Sequence, residues 1–232
     1  MHDMKPTLPR WIENEVPGYV NGHAECRRSG LLVPDRVYAT ESLYGDWGGG
    51  ILLLAKDLGE SEILTDRIAR GDKDPYRHLE GMRTNEKLVE IVSTVEQQTG
   101  VDMNRIGLLY GSALANLWRD GGPRTGPPPN KAQALTHGAA VLRFVIANMP
   151  HLRWIVCMSD VAWQCAAMVM EETAVQLTVA RREYIAHRDN AQPKKAQTGI
   201  ELVATLHPAA IVSLATALPP WTALARSTSA NS

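Results

Sequence analysis

Ile51-Leu52-Leu53-Leu54-Ala55 is an unbroken apolar run that stops abruptly at Lys56-Asp57. A strand with one wet face alternates apolar and polar residues, whereas a strand covered on both faces is apolar throughout. The run therefore reads as a buried parallel strand. Three others read alike: Ser112–Leu117 (SALANL), Trp154–Met158 (WIVCM) and Glu201–Leu206 (ELVATL), each followed by polar residues, Gly or Pro. Helical patterns separate them. Asn85–Gln97 sets Leu88, Ile91, Val92 and Val95 on one face behind Asn85 as an N-cap, and Ala132–Asn148 and Asp160–Glu172 follow. Alternation of strand and helix predicts an α/β fold: a three-layer α/β/α sandwich around a short, mainly four-stranded parallel sheet.

The chain of 232 residues suits one domain over residues 1–232, with residues 1–20 and 220–232 expected to be peripheral or poorly ordered. Gly121–Pro129 (GGPRTGPPP) reads as an exposed loop. Twenty-four Lys and Arg against 25 Asp and Glu give a net charge of −1, which argues against a protein that coats nucleic acid. It leaves room for an enzyme with one local basic face, and Arg181–Thr198 is the most basic stretch. Cys26, Cys157 and Cys165 form no C-x-x-C pair, and no H-E-x-x-H spacing occurs, so no metal and no cofactor are expected. With no long apolar span and no signal core, the expectation is a cytoplasmic monomer that does not engage a membrane.

In open parallel sheets, ligands bind outside the carboxyl ends of the strands. Asp57 follows the first run, Asn116 lies in the second, Ser159-Asp160 follow the third and His207-Pro208 follow the fourth. A carboxylate, an amide and an imidazole on one rim can position water, read a polar ring and stabilise an anion. Each also admits a plainer role: Asp57 as a helix cap, Asn116 as a strand-end residue, His207 as a structural residue kept extended by Pro208. Residue types and spacing lead to an α/β enzyme site and no further.

The motifs resemble those of the uracil-DNA glycosylase superfamily. Its first motif is a strand followed by G-Q-D-P-Y in one branch, or by G-E-A-P-G in the iron–sulfur branch. Here LLLAKDLGESE holds Asp57 at the third position, with Ala55 and Leu58 where Gly and Pro are usual. The family's last motif, a strand followed by H-P-S, is similar to LHPAAI, with Ala209 in place of the serine. ALANLWRDGGP resembles the segment that carries the family's asparagine, which matches Asn116, and Asp74-Pro75-Tyr76 faintly echoes its R-P-F-V-G. The order and spacing run from about residue 20 to residue 215. The four cluster cysteines of the iron–sulfur branch are missing. The chain thus resembles a divergent member with features of both branches.

That resemblance implies excision of uracil from DNA, leaving an abasic site, after the base is flipped out of the stack. It implies catalytic roles for Asp57, which orients water or opposes the cationic sugar, and for His207, which donates to the uracil oxygen. Such a donor is worth about 3–4 kcal/mol. Asn116 would read the uracil edge, Tyr76 would stack on the base, and the backbone of Lys56 would line the pocket. Ala209 and Ile211 would meet the minor groove, Ile211 as a wedge, and Arg119 and Arg124 would contact phosphates. Tyr76 as an exposed loop aromatic and Ile211 as ordinary packing stay open as alternatives. Partners would be uracil-containing DNA and the uracil product, with the chain associated with the nucleoid when acting. Two rival readings remain: a hydrolase of free nucleosides or nucleotides, and a catalytically weak DNA-damage binder.

Overall fold

A computed structural model describes residues 43–45, 48–55, 70, 83–103, 108–112, 131–171, 176–187, 189–196, 198–210 and 213–229. Its elements are β1 (Leu43–Gly45), β2 (Ile51–Ala55), α1 (Arg83–Thr99), β3 (Leu108–Ser112), α2 (Lys131–Asn148) and β4 (Trp154–Cys157). They continue with α3 (Asp160–Val169), α4 (Leu177–Ala186), β5 (Lys194–Lys195), β6 (Glu201–Ala204), a 3-10 turn (Pro208–Ala210) and α5 (Leu214–Ser229). The strands form one sheet in the order β1-β3-β2-β4-β6-β5. The inner four, β3-β2-β4-β6, are parallel, and β1 and β5 are antiparallel edges. The fold is thus mixed α/β around a mostly parallel sheet.

The expectation for β2 holds to the residue. All five of its side chains are buried, none more than 1% exposed. Trp154, Ile155, Val156 and Cys157 of β4 are similarly enclosed. In α1, Leu88, Ile91, Val92 and Val95 face the core, as their spacing requires. Gly100 ends this helix with φ +72, the left-handed conformation that glycine takes without a Cβ clash, and its N–H returns to Glu96 O at 2.8 Å. Ser159 caps α3 by accepting the Ala162 N–H. Helices α1 and α4 both pack on α5, and α2 packs on α3. Tyr184 pins α4 to the sheet, its hydroxyl donating to Leu202 O at 3.2 Å.

Three expectations need correction. The second strand runs Leu108–Ser112, ending where the SALANL run begins. Gly111 interrupts that apolar pattern, whereas SALANL holds no β-branched or aromatic residue to favour a strand; residues 113–117 lie outside the described residues. Asn85 is not an N-cap, since α1 starts two residues earlier at Arg83. Residues 220–229 are not peripheral: they continue α5, with Trp221, Ala223, Leu224 and Ala225 fully buried. Pro219 and Pro220 sit inside this helix. An interior proline costs about 3 kcal/mol, so the packed face must outweigh the broken backbone ladder.

Trp221→Ala should therefore lower the unfolding free energy by about 3–5 kcal/mol in urea titration, as expected for a large core aromatic. A change below about 0.5 kcal/mol would restore the peripheral reading.

Candidate functional site

Parallel pairing sets the ends of three strands level. Leu54 is in register with Cys157, and Cys157 with Ala204. The ladder runs one step further, Met158 N–H donating to Leu54 O at 2.9 Å and Thr205 N–H to Cys157 O at 3.0 Å. In sequence, Asp57, Asp160 and His207 each lie three residues beyond this row. Neighbouring strands are about 4.8 Å apart, so chain leaving β6 starts roughly 10 Å from chain leaving β2. The strand order also reverses here: from β2 the chain goes to β3 on one side and later to β4 on the other. The crevice at such a reversal is where open α/β sheets bind ligands.

His207 is partly buried, and that burial lowers its imidazole pKa below the ordinary 6.5. The ring is neutral at pH 7, so it keeps one N–H donor and one acceptor nitrogen. Pro208 opens the 3-10 turn that follows, closed by Ala210 N–H donating to His207 O at 2.8 Å. This turn carries Ala209 and packs against α1. Between the two outer strand ends, Asp160 opens α3, exposed, with Gln164 Nε2 donating to its carboxylate at 2.5 Å. An acid in a first helical turn is favoured by the helix dipole, which accounts for Asp160 without a catalytic role. Sequence reading passed over Thr205. It is 1% exposed, and its Oγ1 has no hydrogen-bond partner.

Of the residues singled out from the sequence, the structure describes His207 and, in backbone, Ala209. Asp57, Asn116, Tyr76, Lys56, Ile211, Arg119 and Arg124 lie outside the described residues. Asp57 follows the last residue of β2 by two positions. The basic stretch falls elsewhere: Lys194 and Lys195 pair with Leu202 and Glu201, at the amino half of β6. Five residues of extended chain from Leu202 to His207 span up to roughly 17 Å. Neither buried cysteine offers a nucleophile. Burial raises the Cys157 thiol far up, helped by Cys165, and pushes Cys165 up to about 12. Among the described residues no three His, Cys, Asp or Glu converge to hold a metal, and no helix is long and apolar enough to cross a membrane. Scanned against protein-family models and against curated proteins, the chain has no match.

Two outcomes follow for stability. The unfolded chain protonates His207 near its ordinary pKa of 6.5, the folded chain only at lower pH. Folded stability should therefore fall as pH drops below about 6.5 and be insensitive to this group above it, a dependence that His207→Gln flattens in pH-resolved melts. Thr205→Val replaces an unpartnered hydroxyl with a methyl of the same shape. It should raise the melting temperature by about 2–4 °C; a fall of that size would reveal a partner for the hydroxyl.

Proposed function

We propose that the chain is a monofunctional DNA repair glycosylase that hydrolyses the N-glycosidic bond of uracil in DNA, leaving an abasic site. The observation that carries this reading is His207: a partly buried, neutral imidazole beyond β6, level with the chain that leaves β2 toward Asp57. The glycosylase-like motifs supply the chemistry, and the strand order supports it, because strand order reverses between β2 and β4, next to β6, and such reversals take ligands. Helices that group as α1, α4 and α5 on one hand and α2 and α3 on the other support a three-layer sandwich.

In this mechanism the target uracil is flipped out of the duplex, because its glycosidic bond is shielded in the stack. Asp57 holds water at the sugar and opposes the positive charge that grows as the bond breaks. His207 donates its N–H to the uracil oxygen, which becomes anionic as the base departs. A neutral donor suits that task, stabilising charge as it forms. Asn116 pairs with the uracil edge, its amide donating to O4 and accepting from N3–H, a pattern that cytosine reverses. Tyr76, Lys56, Ile211, Ala209, Arg119 and Arg124 serve base and backbone contacts. The enzyme works as a monomer in the cytoplasm, on nucleoid DNA, without metal or cofactor.

The test is an end-labelled oligonucleotide with one uracil, incubated with the protein and then cleaved with alkali. Strand breakage at the uracil is expected, and Asp57→Asn and His207→Ala should each slow it by about 10²-fold or more. No breakage at the uracil overturns the proposal. Release of uracil from free deoxyuridine alone would make the chain a nucleoside hydrolase. Tight binding to abasic DNA without any base release would make it a damage binder.

A further inference from the structure

The opposite end of the sheet holds a cleft of about 510 Å³, within the range of pockets that enclose small molecules. Gly50, just before β2, borders it, as does Thr228 in the last turn of α5. The connection from α2 to β4 supplies Pro150, His151, Leu152 and Arg153, and Trp154 completes the lining. Among the described residues, the ionisable side chains of this lining, His151 and Arg153, are basic and exposed.

The floor is rigid for a definite reason. Trp154, 2% exposed, shares its indole N–H between Glu201 Oε2 and Ser227 Oγ, each at 2.8 Å, and Ser227 Oγ donates to Glu201 Oε2 at 2.7 Å. The Glu201 carboxylate thus takes two hydrogen bonds from groups inside the protein. The Arg153 guanidinium lies 5.9 Å from the centre of the Trp154 ring, where cation and ring face attract. An exposed arginine is normally free to wander; one resting on a fixed indole has part of its ordering cost already met. On the far side of Glu201 in the ladder stands Lys195, exposed. The carbonyl ends of α2 and α5, about half a negative charge each and screened by water, together with Glu201 offset the charges of Arg153 and Lys195. The pull on an anion is therefore local to the exposed Arg153 fork in the lining.

We infer that this cleft is a second binding site, for an organic phosphate of about mononucleotide size. The Arg153 fork matches phosphate oxygens in a bidentate way. The volume exceeds what inorganic phosphate alone would fill, and Pro150 and Leu152 offer an apolar wall to the rest of the ligand. The inference does not rest on the reaction proposed for the carboxyl end, and its test is independent of it.

The experiment is a two-dimensional amide NMR titration of the whole chain with dAMP, a purine probe that a uracil-reading pocket would not favour. Deoxyadenosine and inorganic phosphate serve as comparisons. Saturable shifts are expected at His151, Leu152, Arg153 and Trp154 with dAMP, weaker ones with phosphate and none with deoxyadenosine. Arg153→Ala should weaken dAMP binding about tenfold or more, and Arg153→Lys, which keeps the charge but not the fork, should fall between. Because Arg153 is exposed, unchanged spectra elsewhere will separate lost binding from lost fold. No shift at these amides up to about 10 mM dAMP, equal affinity in the Arg153→Ala variant, or equal response to deoxyadenosine would each overturn the inference.

Discussion

The complete enclosure of β2 is the constraint on which the rest of this molecule depends. A strand with five consecutive buried side chains needs neighbours on both edges and cover on both faces. Its edges are taken by β3 and β4, each parallel to it and each reached through a long crossover. Truncating any one of the central leucines to alanine would cost about 2–5 kcal/mol, a large part of a typical folding free energy of about 5–15 kcal/mol. The chain therefore has little freedom in where β2 sits. The last residue of β2, Ala55, lies at the carboxyl edge, where strand order reverses.

Parallel pairing then does what no single strand can do. Because Leu54, Cys157 and Ala204 share one row, strands dispersed across 150 positions of sequence end at one level. The chemistry at the two ends of these strands differs accordingly. At the carboxyl end, His207 is neutral through burial, and Thr205 keeps a hydroxyl with no partner. At the amino end, Trp154, Ser227 and Glu201 satisfy one another, and the exposed charges are basic.

Legibility in the sequence followed the strength of the local signal. ILLLA, WIVC and ELVA were readable because each is a compact apolar block that ends at a polar residue. The face of α1 was readable from its period, but its first residue was not, because Asn85 offered a plausible cap inside a helix already begun. β3 was misplaced by several residues because Gly111 lies inside it and a rival apolar run starts at its last residue. The segment from residue 220 read as peripheral because Pro219 and Pro220 are strong local breakers. Tertiary burial of Trp221 and Leu224 overrides them, and burial of that kind is not visible in a window of sequence. The short edges β1 and β5 carry almost no pattern at all. Of the site, the position of His207 beyond β6 was legible from its own run, whereas the shared register row was not.

The unsatisfied hydroxyl of Thr205 is a stability cost that the fold carries at the carboxyl end of the sheet. Leaving a buried donor without a partner costs about 1–3 kcal/mol, and a valine would fit the same space without that cost. The fold closes its polar accounts at the amino end, where a tryptophan, a serine and a glutamate lock α5 against β4 and β6. It leaves the Thr205 hydroxyl open at the carboxyl end, two residues before His207, and the Trp221 indole N–H open within α5. Local rules are broken more often where a protein acts than where it merely holds together. By that criterion the carboxyl rim is where the proposed reaction is best placed. The amino cleft, with its fixed indole floor and the exposed Arg153, fits the phosphate site inferred for it.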